Sequence, residues 1–250
     1  MGVRLICLLL ALGTCTAMRS QAVSVAERYL FQAANAERSA LGLGVLRWDE
    51  GLHRAAYGHA VQMARYSTIS HQFAGESELA NRGHSVGATF SHISENVAEA
   101  ATAVRIHDAW MRSPEHRENL LDPQVDAVGI SVQQRNGQLY AVEDFERSVM
   151  ALSLEEQEHA VAQIMVSAGA VELLLGSDDA RRTCAMSTGY AGEQRPAFVM
   201  RFTSGDVGSI PQGLKVKLAS GRYRQAAVAA CATAAGNPFT SYRIAVLLYP

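Results

Sequence analysis

Val128-Gly129-Ile130-Ser131-Val132 and Leu139-Tyr140-Ala141-Val142-Glu143-Asp144-Phe145 stand on either side of Asn136-Gly137. β-branched and aromatic residues fill both runs, and Asn-Gly accepts the positive φ that a tight hairpin turn requires, so the stretch reads as two antiparallel strands. Upstream the apolar spacing is helical instead. Val25, Tyr29, Ala33, Ala36 and Ala40 predict a helix over 24–41, ended by Gly42 and Gly44. Leu52, Ala56, Ala60 and Met63 predict another over 50–66. Residues 67–94 hold Gly75, Gly83 and Gly87 with no sustained period, which predicts loop with a short helix near 77–83. Helix resumes over 102–111 and again after Ser113-Pro114, where a serine cap and a first-turn proline form a start signal. Helices followed by a hairpin, without βαβ alternation, indicate an α+β fold.

Downstream, Ser153-Leu154-Glu155-Glu156 carries the pattern of a capping box and opens a helix over 153–168. Strands are predicted at Ala197–Thr203, Tyr223–Ala230 and Tyr242–Tyr249, while Leu214–Leu218 fits strand and helix equally. Composition changes at the same place. Residues 23–149 carry 11 arginines and 16 acids, whereas 150–250 carry 9 basic and 8 acidic side chains. Seven of the eight histidines lie between His53 and His116, so histidine chemistry belongs to the first half. A boundary at 149–153 follows, with a smaller mixed, mostly β domain over 150–250. Arg222-Tyr223-Arg224 offers two cations to an anion, but solvated arginines on a strand face are the ordinary case.

The whole chain has 250 residues, 22 basic and 24 acidic, and is 48% hydrophobic, which excludes a disordered or fibrous protein. Its two lysines and scattered arginines leave no basic footprint, so no nucleic-acid partner is expected. Arg4, the apolar run Leu5–Leu12 and the small residues to Ala17 have the pattern of a secretory signal over 1–22, cut near Ala17 or Ala22. The run is far short of the roughly 20 residues that span a bilayer, and no later segment is longer, so the mature chain is expected to be secreted or periplasmic with no transmembrane segment. Anchoring at Cys15 as a lipoprotein is disfavoured by Thr14. Removing the signal leaves Cys184 and Cys231, which form one disulfide in an oxidising compartment or remain two buried thiols.

Four side chains carry the candidate chemistry: His71, Glu76, Glu95 and His116. Two imidazoles and two carboxylates suit zinc or a similar divalent cation, and the same groups do acid–base work when their pKa values approach neutrality. His116 falls in the first turn of a helix, whose positive end disfavours imidazolium. None of the pairs has a local ligand spacing, and His53, His59, His84, His92 and His107 receive no role. Ser70, Ser94 and Ser113 adjoin the candidates, but no Gly-x-Ser-x-Gly elbow occurs.

An ordered series of segments adds to this. Asn35-Ala36-Glu37-Arg38, Leu46-Arg47-Trp48-Asp49-Glu50-Gly51-Leu52, Ser70-His71, Glu95-Asn96-Val97-Ala98, Trp110 through Leu121, Val128-Gly129-Ile130 and Asp144-Phe145 together resemble the CAP superfamily. That group, also called SCP or PR1-like, comprises the cysteine-rich secretory proteins, antigen 5 and pathogenesis-related 1. The resemblance implies a three-layer α-β-α sandwich over 23–149 with a central groove. It places the groove's two histidines and two acids on His71, Glu76, Glu95 and His116, as cavity residues and as ligands of a divalent cation such as zinc or magnesium, with no organic cofactor. Unlike the animal and plant members, residues 23–149 contain no cysteine, so packing alone must hold this domain.

The expected function is that of a secreted binding protein whose groove takes a cation and a small ligand, lipid or envelope partner, without catalysis. The alternative is an extracellular, protease-like hydrolase using a metal-bound or histidine-activated water.

Overall fold

The computed structural model describes residues 22–169, 172–232 and 237–250. The expected signal, apart from Ala22, and Cys15 lie outside the described residues.

Ser24 accepts from the Glu27 amide while Glu27 reaches back to the Ser24 amide, a capping box that starts helix α1 (Val25–Ala40). Strand β1 (Arg47–Trp48) leads to Asp49, whose side chain caps α2 (Glu50–Tyr66). Then come α3 (Leu79–Ser85), β2 (Phe90–Ala100), α4 (Ala103–Arg112), α5 (Pro114–Leu121) and the hairpin of β3 (Ala127–Arg135) and β4 (Gln138–Ser148). Asn136 and Gly137 take φ values of 51° and 79°, as the hairpin reading required. The sheet order is β1-β3-β4-β2, with β1 parallel to β3 and the other pairs antiparallel.

Helices cover both faces of this sheet, giving the three-layer sandwich. On one face Leu30, Ala34, Ile106, Trp110 and Leu120 from α1, α4 and α5 pack on Val128, Ile130, Ala141 and Phe145. On the other, Ala56, Ala60 and Met63 of α2 pack on Val97, Tyr140 and Val142. The α2 backbone approaches so closely that a Cβ on Gly129 would lie 2.1 Å from the His53 nitrogen, which leaves room for glycine alone. Arg38, 1% exposed, stitches the first face together by donating to the carbonyls of Gly44, Leu120, Asp122 and Val125.

Two expectations change here. The region expected to remain loop to residue 94 enters β2 at Phe90. Its sequence Ser91-His92-Ile93-Ser94-Glu95-Asn96 hides a strand, because Glu95 and Asn96 are polar yet both buried. Ser113 precedes α5 as expected but makes no capping bond; its hydroxyl donates to Glu115 instead.

The second unit begins with α6 (Leu154–Ser167), whose capping box joins Ser153 and Glu156 as expected. It continues with β5 (Glu172–Leu175), α7 (Asp178–Ala185), β6 (Phe198–Ser204), α8 (Gln212–Ala219), β7 (Gln225–Cys231) and β8 (Tyr242–Tyr249). The sheet order is β5-β7-β8-β6. Val161 and Met165 of α6, with Leu214 and Leu218 of α8, cover one face, and Ala180 and Cys184 of α7 cover the other. The ambiguous segment 214–218 is therefore helical, with Leu214 and Leu218 one turn apart on the buried stripe. A disulfide joins Cys184 of α7 to Cys231 of β7.

The two units touch along a seam. Val149 N donates to Thr89 O at 2.7 Å, Thr240 N donates to Phe90 O at 2.7 Å, and the Phe90 and Phe239 rings meet edge to face. The Tyr242 hydroxyl donates to the Met150 carbonyl.

Candidate functional site

Glu95 lies on the α2 face of β2 with its side chain 3% exposed, and three cationic or potentially cationic groups converge on it. His71, from the loop after α2, places Nδ1 2.8 Å from Glu95 Oε1 while the rest of its side chain is 62% exposed. Arg82, buried on α3, hydrogen-bonds Glu95 Oε2. His59 Nε2 stands 3.8 Å from the same oxygen.

His59 in turn is fixed from both ends. Its Nδ1 meets Glu76 Oε1 at 2.8 Å and its Nε2 meets the Ser70 carbonyl at 2.6 Å. Glu76 also accepts from Gln62 Nε2 and from the Phe73 amide. Glu76 therefore braces the 70–76 loop that carries His71.

His116 arrives from the opposite side, on the first turns of α5. Asn96 of β2 donates to the His116 carbonyl at 2.9 Å, and Asn119 donates to Asn96 Oδ1 at 3.0 Å, so α5 is pinned beside Glu95. The two groove histidines are tuned in opposite directions. The hydrogen bond to Glu95 raises the His71 pKa above its usual value. Partial burial lowers that of His116, and the nearby charge of His71 lowers it further. The expected direction for His116 thus holds, with desolvation as its leading cause rather than a helix terminus.

Beneath the groove lie two fully buried acids. Asp144 pairs with Glu95 across the β2–β4 ladder. Burial, with the Glu95 charge added, lifts its pKa well above the carboxylate range. Glu143, on the other face, is pushed up to about 8 by burial, which the side chain of Asn96 partly opposes. The Glu143 carboxyl is neutral near pH 7, the cheaper state for an acid without a cationic partner in a dry interior.

The four expected residues thus divide. His71 and Glu95 touch, His116 faces them from α5, and Glu76 stands one residue back, bonded to His59 rather than His71. Among the described residues no group of three or more His, Cys, Asp or Glu side chains is arranged to hold a metal ion. The arrangement of these side chains is a pair of imidazoles backed by carboxylates. Glu95 is already occupied by Arg82 and His71, and Glu76 by His59. Carboxylates in that position orient a histidine by taking one ring nitrogen and leaving the other for a ligand.

Sequence reasoning passed over His59 and Arg82. His59 offered one usable sign: it sits with Ala56, Ala60 and Met63 on the buried side of α2, where an imidazole needs a polar partner. Arg82 gave none, since one arginine in a glycine-containing loop resembles any other. The three neighbouring serines do not join the histidines. Ser70 donates to the Gln72 carbonyl, Ser113 to Glu115, and Ser94 Oγ is buried with no partner among the described residues.

Comparison with known proteins finds similar sequences and structures for the first half of the chain. The model of the cysteine-rich secretory protein family, CAP, matches residues 31–145. YkwD of Bacillus subtilis (strain 168) is 29% identical over 116 residues, 46% of this chain and 45% of that protein. A protein of Borreliella burgdorferi is 29% identical over 92 residues, 37% of this chain and 59% of its own length. The chain thus spans about half the length of the curated relatives it matches. Among solved structures, an outer surface protein from Borrelia burgdorferi is similar with a TM-score of 0.48 and 23% identity, over 52% of this chain and 98% of that one. An extracellular SCP-domain protein from Bacillus anthracis has a TM-score of 0.45 and 27% identity, over 48% and 40% of the two chains. Over residues 31–145 the first half of this chain is thus similar to the CAP domain of the cysteine-rich secretory protein family.

Proposed function

We propose that the groove between the 70–76 loop and α5 binds a divalent cation through His71 and His116, and that it acts outside the cytoplasm as a non-enzymatic binding site for a small ligand, lipid or envelope partner. One observation carries this reading: two imidazoles lie close enough to feel each other's charge, one oriented by a buried carboxylate and the other with its pKa lowered by desolvation. Imidazole donors suit zinc better than magnesium, which prefers oxygen. A bound zinc would supply Lewis acidity to whatever group completes its coordination. The chain's own residues do the rest: Glu95 orients His71, Arg82 neutralises Glu95 from behind, and Glu76 with His59 holds the loop in place. Export follows from the signal-like residues 1–22, and among the described residues no helix is long and apolar enough to cross a membrane.

Titration calorimetry with zinc tests the site. Wild type should bind with a saturable heat, His71→Ala and His116→Ala should each weaken binding at least tenfold, and Glu76→Gln should retain most of it. Identical heats in wild type and both histidine variants would sink the proposal. Hydrolysis has one observation in its favour, the opposed pKa shifts of His71 and His116, a pattern that suits an acid and base pair. Turnover of a peptide or ester by the full chain, abolished by Glu95→Gln, would favour that reading instead.

A further inference from the structure

The second unit holds a pair of cations with no carboxylate partner. Arg201 on β6 and Arg243 on β8 lie on the α7 face of the sheet, because Thr203 pairs with Arg243 and Arg201 pairs with Ala245, which packs under α7. Between them is a cavity of about 220 Å³ lined by Cys184, Arg201, Phe202, Thr203, Arg243 and Ile244. Other arginines nearby are paired, Arg181 with Glu158 and Arg182 with Asp179. Arg201 and Arg243 make no ion pair among the described residues, and the segments outside them contain no Asp or Glu.

Backbone carbonyls hold both guanidinium groups in place. Arg201 Nε donates to Thr183 O at 2.7 Å, and one of its terminal nitrogens donates to Gly189 O. Arg243 reaches Ala232 O and Cys184 O, each at 3.4 Å. Two of these acceptors, Thr183 and Cys184, belong to the last turn of α7, which the disulfide ties to β7. Carbonyls orient a guanidinium without cancelling its charge. Arg201 Nη1 and Arg243 Nε make no hydrogen bond among the described residues, and both arginines line the cavity with Thr203.

We infer that this cavity is a site for a phosphate group, either free phosphate or the end of a larger phosphomonoester. Two fixed guanidinium groups match a phosphate dianion in charge, and guanidinium donors are well suited to phosphate oxygens. A monocarboxylate would leave one positive charge over. The site is independent of the His71 groove and lies on the other unit.

The experiment is a titration of the full chain with inorganic phosphate, followed by calorimetry and by the arginine side-chain N–H resonances. Saturable binding at one site is expected, with the Arg201 and Arg243 resonances moving together. Arg201→Gln and Arg243→Gln should each weaken affinity at least tenfold, and raising NaCl should weaken it in wild type. Phenyl phosphate in a parallel titration separates the two sources: binding at least as tight as phosphate assigns the site to a phosphomonoester, weaker binding to the free ion. Absence of saturable binding, or unchanged affinity in both variants, overturns the inference. Because both arginines also hold the end of α7, the wild-type resonances decide the matter if a variant fails to fold; if neither resonance moves at saturation, the site is disproved.

Discussion

Glu95 is the residue through which the groove is organised, since one buried carboxylate takes Arg82, His71 and, at longer range, His59. In Glu95→Gln the interaction that raises the His71 pKa disappears, while burial and the Arg82 charge continue to depress it. Titration of His71 by NMR should then give a pKa at or below the ordinary 6.5, and no change would remove Glu95 from its orienting role. The same substitution strands a buried guanidinium, so a stability loss of about 3 kcal/mol is expected beside it. At Gly129 the constraint is steric. Gly129→Ala sets a methyl against the backbone of α2, and a loss of about 3 kcal/mol in chemical denaturation is expected. Glu95 and His116 were legible in the sequence because each sits in a run of recognisable neighbours. Glu76 was legible as a residue, but its bond to His59 was not, because nothing in the chain marks the two as partners. Arg82 was illegible because its role comes entirely from a fold that brings α3 against β2.

Among the elements, those with long periods or explicit start and stop signals were readable: α1, α2, α6 and the β3–β4 hairpin. Those without were not. β2 lacks apolar alternation because its buried positions hold Glu95 and Asn96, and α7 and α8 span only eight residues each, too short for a stripe to repeat. The disulfide compensates for the shortness of α7 by closing a 47-residue separation between Cys184 and Cys231. On the chain-entropy model that closure stabilises by about 4 kcal/mol. Reduction should therefore lower the melting temperature of the second unit, with tryptophan fluorescence of the first little changed, because Trp48 and Trp110 both lie in that first unit. Equal loss in both units would mean that they melt as one.

For the whole molecule, the buried acids set the pH dependence of stability. Glu143 is raised to about 8 and Glu146 to about 7, in both cases chiefly by burial, and Asp144 is raised as well. Each binds its proton more tightly when folded, so each contributes stability that is full below the unfolded value, 4.5 for the glutamates and 3.8 for the aspartate, and is lost as pH climbs through the folded one. His53, raised mainly by its hydrogen bond to Glu27, and His71 act in the same sense. His116, lowered, acts oppositely and alone among the histidines with a resolved shift. At the acid end Glu27 governs. Burial opposes its ionisation, but hydrogen bonds from His53, Ser24 and Val132 outweigh that and bring its pKa down to about 2. Its contribution, about 3 kcal/mol from the shift, is present above pH 4.5 and lost as pH falls toward 2. Melting temperature should therefore peak near pH 5 and decline toward pH 8, and a rise over that interval would contradict the assignment of neutral buried acids. The seam has a consequence of another kind. Only residues 149–153 separate β4 from α6, and the first two are held, Val149 by Thr89 and Met150 by Tyr242, although Met150 is 70% exposed. A protease must draw several residues of extended backbone into its cleft, and here that length exists only after the seam has opened. In a milieu rich in proteases the connection between the two units should accordingly be nicked more slowly than its exposure suggests for as long as the seam holds.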